Sequence, residues 1–215
     1  MRLLLINPNR SEWITERVAA PARAMLLPGE VLDTVTSTTG PTVVTSARQL
    51  ASAGVEVLAL AQRHGTGYDA LLLGISLDCG LAELRRLRGA QPVIGMTEAA
   101  CLAAGPRFGL LTLGPAMAPL YARHVQHIGL APCCAGVAAP DCPEAFSNPQ
   151  PGIRPVVLQV LQASIAGLRA QGADSIVLAG AVLCGYGAAL TVATGLPVLE
   201  GTASAVTRAR RLLSP

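Results

Sequence analysis

Two short stretches pose the chemical question: GISLDCGL at residues 74 to 81 and GAVLCGYG at residues 180 to 187. In each, a Cys-Gly step follows an apolar run. Thiols suit proton transfer, because a free cysteine titrates near ~8.5 and a helix start or polar neighbours bring it toward neutrality. Cys79 and Cys184, reaching one ligand from opposite sides, would remove a proton beside a carbonyl and return one to the other face. Cysteine is also a common small core residue, so either one alone is weak evidence for chemistry.

An internal repeat ties the two together. Residues 68 to 100 lie over 173 to 205 without a gap, at a constant offset of 105, the separation of Cys79 and Cys184. At that offset Asp69 meets Asp174, Gly80 meets Gly185, Pro92 meets Pro197 and Thr97 meets Thr202, and residues 2 to 9 lie over 107 to 114. Each half predicts a short apolar strand (3 to 6; 108 to 113), an amphipathic helix (11 to 25; 117 to 128) and, after a second strand region, another helix (47 to 62; 156 to 170). A buried strand (71 to 74; 176 to 179), the Cys-Gly turn, a further helix and a last short strand (92 to 94; 197 to 199) complete it. Alternating elements with continuous apolar strand runs predict an α/β fold: two pseudo-symmetric parallel-sheet domains, Rossmann- or flavodoxin-like, with a ligand cleft between them at the carboxyl ends of the strands.

Composition narrows the chemistry. The chain has 215 residues, 51% of them hydrophobic, enough for a substantial core. All 16 basic residues are arginine, which excludes a Schiff-base lysine, ordinary pyridoxal chemistry and a P-loop lysine. The net charge is only +3 and the one basic cluster, Arg208, Arg210 and Arg211, reads as a solvated helix face, so no nucleic-acid partner is expected. The apolar run at 3 to 6 is too short for a signal or a membrane span, and a cytoplasmic protein with reduced thiols is expected. Cys101, Cys133, Cys134 and Cys142 read as core or loop residues, and no metal-ligand spacing links them to His124 or His127, which read as surface residues.

Further site candidates cluster at the predicted strand ends. Asn7 and Asn9 in NPNRS cap the following helix or bind a carboxylate or imide oxygen. Ser76 and Asp78 lie in the first Cys turn, where the carboxylate raises the thiol pKa unless its charge is paired. Gly180, Gly185 and Tyr186 lie in the second. Thr97 and Thr202 follow the last short strands as N-caps or ligand contacts, with Glu98 and Glu200 exposed. Tyr121 reads as a core or rim residue.

Taken together, INPNRSEWITERV, TSTTGPTVVTS, YDALLLGISLDCGL, QPVIGMTEAA, RFGLLTLG, GADSIVLAG and GLPVLEGTASAV resemble the aspartate/glutamate/hydantoin racemase superfamily, in particular its hydantoin racemase branch. The resemblance spans nearly the whole chain. It implies a cofactor-independent racemase or epimerase of a small amino-acid derivative such as a hydantoin, with one cysteine from each domain acting at their interface. It implies that the turn from Asn7 to Ser11 and its counterpart near Thr112 hold substrate, and that residues 1–98, completed by 200–215, and 99–199 form the two domains. Family habit and apolar helix surfaces favour a homo-oligomer. The branch's own thiol positions fall on Ile75 and Gly180, with Cys79 and Cys184 four residues later in each half. Re-aimed turns that hand proton transfer to Cys79 and Cys184 are the first reading. The alternatives are a cofactor-free decarboxylase of the arylmalonate type and a small-ligand binding protein without turnover.

Overall fold

The structure is a computed structural model that describes residues 1–44, 46–146 and 152–214. The chain runs β1 (Arg2–Asn7), α1 (Glu12–Arg23), β2 (Val31–Thr36), α2 (Ala47–His64), β3 (Ala70–Leu73), α3 (Leu81–Arg88), β4 (Val93–Gly95) and α4 (Met96–Ala103). The second half follows with β5 (Phe108–Leu111), α5 (Ala118–His127), β6 (Cys134–Ala138), α6 (Pro155–Ala170), β7 (Ser175–Leu178), α7 (Gly187–Thr194), β8 (Val198–Glu200) and α8 (Gly201–Leu213). Two four-stranded sheets result, ordered β2-β1-β3-β4 and β6-β5-β7-β8, with every pairing parallel.

The repeat carries through to hydrogen-bond register. Leu3 pairs with Ala70 and Leu71 with Val93 in the first sheet; Phe108 pairs with Ser175 and Ile176 with Val198 in the second, each residue displaced by the same 105 positions. The central strands β3 and β7 are buried along their whole length, as strands covered on both faces by helices must be. Burying a leucine removes about 1.5–3 kcal/mol of exposed apolar surface, and Leu71, Leu72 and Leu73 are each 0% exposed. α2 begins at Ser46, whose hydroxyl accepts from the Gln49 N–H as an N-cap.

α8 leaves the second sheet and packs on α1, α4 and β4 of the first. It approaches α4 closely at Gly201, where a Cβ would stand 2.9 Å from the Met96 side chain. Arg210 then reaches Glu30, in the segment before β2, at 2.6 Å. Among the described residues no helix is long and apolar enough to cross a membrane. All six cysteines are free thiols.

Candidate active site

Where the carboxyl ends of the two sheets face each other, a cavity of ≈ 60 Å³ opens between the halves. At about 10–15 Å³ per water this is room for roughly four to six, the bulk of a five-membered ring with its carbonyl groups. Asn9, Ile75 and Ser76 line it from the first half; Thr112, Tyr121 and Gly180 line it from the second. The rest of the wall is apolar, including Ile14, Val44, Met117 and Val182, and no charged side chain is among the described lining residues.

The polar groups are prearranged. Asn7 is wholly buried; its Nδ2 donates to Thr15 Oγ1 at 2.8 Å and its Oδ1 accepts from the Asn9 N–H at 3.0 Å. That Asx turn aims Asn9 into the cavity, where its Oδ1 is buried without a hydrogen-bond partner among the described residues. A buried acceptor left open in this way costs about 1–3 kcal/mol unless a donor arrives. Across the cavity, burial raises the Tyr121 phenol well above its usual range, while hydrogen bonding with Ser76 and Thr112 acts the other way. Tyr121 therefore stays protonated and is a donor at any ordinary pH.

Neither thiol joins them. Cys79 borders a separate surface hollow beside α2, with Gly54 and Val55, while Cys184 borders another beside α1, with Trp13 and Arg17. Among the described residues, Ile75 and Gly180 hold the positions on the cavity wall and neither sulfur lines it, so the wall lends no support to the expectation that the two sulfurs converge on one ligand. Burial first, and the Asp78 charge second, push the Cys79 thiol up to about 12; burial, then Glu200, raises Cys184 as well. Both thiols are thus held away from thiolate. The shared Cys-Gly step has a backbone explanation instead. Gly80 and Gly185 adopt φ of +83° and +93°, a left-handed conformation that glycine reaches without strain, and both cysteines sit at φ near −60°.

Each turn is also tied by a carboxylate, supplied from opposite partners in the two halves. Asp78 in the first turn accepts from the Thr97 and Glu98 N–H groups at 3.0 and 2.8 Å, capping α4, and lies 3.2 Å from His124 Nε2 of the second half. In the second half the turn has Leu183 at that position, and Glu200 at the end of β8 reaches back to the Gly185 and Gly187 N–H groups at 2.6 and 2.9 Å. Glycine faces each carboxylate: a Cβ at Gly95 would lie 2.3 Å from Asp78 Cγ, and one at Gly187 would lie 2.9 Å from Glu200 Cδ. Leu77 and Asp78 both adopt positive φ, strain that the Asp78 bonds hold in place.

Of the candidate binding residues, Asn9, Ser76, Thr112 and Gly180 line the cavity, and six do not. Asn7 and Asp78 act one layer back, as described. Thr97 is buried with its hydroxyl accepting from the Leu77 N–H, and Thr202 is buried in the first turn of α8. Gly185 is taken by Glu200, and the Tyr186 hydroxyl accepts from the Arg154 N–H. Expected exposure fails for three residues. His124 is 11% exposed because it faces Asp78, Glu98 pairs with Arg85 at 2.5 Å, and Glu200 serves its turn. Tyr121, whose sequence context suggests core or rim, stands on the cavity wall. Its one signal was a place on the helix after the Thr112 loop, which an amphipathic pattern alone does not separate from core.

The sequence profile described as Asp/Glu/Hydantoin racemase matches residues 3–209. A hydantoin racemase of Paenarthrobacter aurescens is 28% identical over 222 residues, covering 100% of this chain and 92% of that protein. One from Rhizobium meliloti is 29% identical over 217 residues, covering 99% and 89%. Among solved structures, the allantoin racemase of Pseudomonas fluorescens superposes with a TM-score of 0.89 at 26% identity, over 99% of this chain and 91% of that one.

Proposed function

The chain belongs to the Asp/Glu/hydantoin racemase family, and we propose that it is a cofactor-independent racemase or epimerase of a small uncharged cyclic amide of the hydantoin class, bound between its halves. The observation that carries this reading is the cavity wall: its polar groups are the amide of Asn9 and the hydroxyls of Ser76, Thr112 and Tyr121, with no charged side chain among the described residues. A carboxylate or ammonium group would lose its hydration there without a partner, at a cost of several kcal/mol, whereas a ring amide exchanges donors and acceptors one for one. The open Asn9 Oδ1 suits a ring N–H, and the protonated Tyr121 suits a carbonyl oxygen. The hydantoin and allantoin racemases to which the chain is similar are named for ligands of this kind.

Racemisation then rests on stabilising the enolate. Hydroxyl donors directed at the oxygen on which charge develops lower the acidity barrier of the adjacent carbon. Tyr121, with Ser76 and Thr112 beside it, takes that role. With no thiol on the described wall, the carbon-bound proton exchanges with water admitted to the cavity. A second reading, binding without turnover, is favoured by the same replacement of both thiol positions by Ile75 and Gly180.

Incubating the protein with allantoin and 5-benzylhydantoin in deuterated water separates these readings. Deuterium is expected at the ring carbon faster than in buffer, undiminished in Cys79→Ala/Cys184→Ala and lowered about 10²-fold in Tyr121→Phe, the worth of one such donor. Saturable binding with exchange no faster than buffer selects the second reading. Loss of exchange in the double cysteine variant overturns the role given to Tyr121.

A further inference from the structure

The hollow bordered by Cys184 is larger than the cavity between the halves, ≈ 460 Å³, and chemically unlike it. Trp13, Glu16, Arg17 and Ala20 of α1 form one side, with Glu16 turned to Arg23; Gly152, Ile153, Cys184 and Gly185 form the other. It bridges the two halves, as the interdomain cavity does, and touches the later residues of the turn whose Gly180, Ala181 and Val182 line that cavity.

Arg17 is the unusual group. Its guanidinium stacks over the Tyr186 ring at 5.2 Å, and its buried Nε has no hydrogen-bond partner among the described residues. The carboxylates near it are already engaged: Glu16 pairs with Arg23 at 2.6 Å, and Glu200 accepts from Gly185 and Gly187. A planar cation is thus fixed by an aromatic ring, its donors uncommitted, beside an indole and apolar side chains. That is the donor set and wall of a carboxylate site.

We infer that this hollow is a second small-molecule site, taking a monocarboxylate that bears an aromatic or compact apolar group. The carboxylate meets Arg17, and the apolar part lies against Trp13 and Ile153. The inference does not depend on the reaction proposed for the interdomain cavity.

Trp13 is the only tryptophan in the chain, so intrinsic fluorescence reads this wall directly. Titration with benzoate is expected to change the emission saturably, with benzamide, its uncharged counterpart, binding about 10- to 100-fold more weakly, the worth of a charge-assisted hydrogen bond. Arg17→Met should reduce benzoate affinity to the benzamide level, Arg17→Lys should retain part of the difference, and Tyr121→Phe, in the other cavity, should leave it intact. The comparison of benzoate with benzamide on the unaltered protein stands even if an Arg17 variant fails to fold. Equal responses to the two ligands, no saturation, or undiminished benzoate binding in Arg17→Met would overturn the assignment.

Discussion

At the scale of single residues, the cysteines and the groups on the cavity wall exchange the roles their types suggest. Desolvation holds the Cys79 thiol protonated up to about 12, against an ordinary value of 9.0. Thiol titration of the native protein with a disulfide reagent should therefore be slow for Cys79 at pH 8 and should quicken toward pH 12. The same shift makes the folded state bind a proton that the unfolded chain releases. The stabilisation it contributes is fully present below about pH 9 and is lost as pH rises from there toward 12, so alkaline denaturation should be steeper in the native protein than in Cys79→Ala. Ile75→Cys offers the converse test. It places a thiol on the cavity wall at a stability cost of about 1–2 kcal/mol for the lost packing, and solvent exchange into a hydantoin should rise. Gly180→Cys is expected to unfold more easily, because φ of +127° at that position strains any residue with a Cβ.

At the scale of elements, the turns after β3 and β7 are built on one plan but secured differently. Asp78 caps α4 from the first turn, so Asp78→Ala should cost at least about 1–2 kcal/mol in urea unfolding, the range for losing a helix cap. Gly95→Ala should cost about 1–3 kcal/mol, because its methyl group meets the same carboxylate. Combining the two should cost clearly less than their sum, since removing the carboxylate vacates the space that the methyl needs. Strict additivity would mean that the contact between them is not what disfavours a side chain at position 95. The glycine and the aspartate are therefore one feature, although 17 positions separate them in the chain.

For the molecule as a whole, the relation between the halves depends on α8 returning to the first sheet and on contacts such as Asp78 with His124. Arg210 fastens α8 to Glu30 and, by its hydrogen bonds, lowers the Glu30 carboxyl from 4.5 to about 2. A depressed carboxylate stabilises the fold above the unfolded value of about 4.5, and that stabilisation is lost as pH falls through the interval to about 2. Glu30→Gln should remove this part of the acid dependence, seen as convergence of the two unfolding curves at low pH. Unchanged separation of the curves from pH 6 to pH 2 would show that the ion pair adds nothing to the tertiary packing of α8.

Much of this was already settled by the order of residues. The apolar runs and the repeat determined two parallel sheets, because a strand covered on both faces has to be apolar throughout and a duplicated pattern has to pair in a duplicated register. That Asn9, Ser76, Thr112 and Gly180 stand just past strand ends, where the cavity lies, was readable because loops at the carboxyl ends of parallel strands gather at one cleft. The destination of each sulfur was not readable. It depends on whether a turn of four residues points its last side chain into the cavity or past it, and that is set by left-handed residues at 77, 78, 80 and 185 together with carboxylates that reach the turns from distant segments. Tyr121 and Arg17 likewise became notable only in three dimensions. A phenol flanked by two hydroxyls, and a guanidinium whose Nε finds no hydrogen-bond partner among the described residues, are properties of neighbours brought together by packing, which no local spacing encodes.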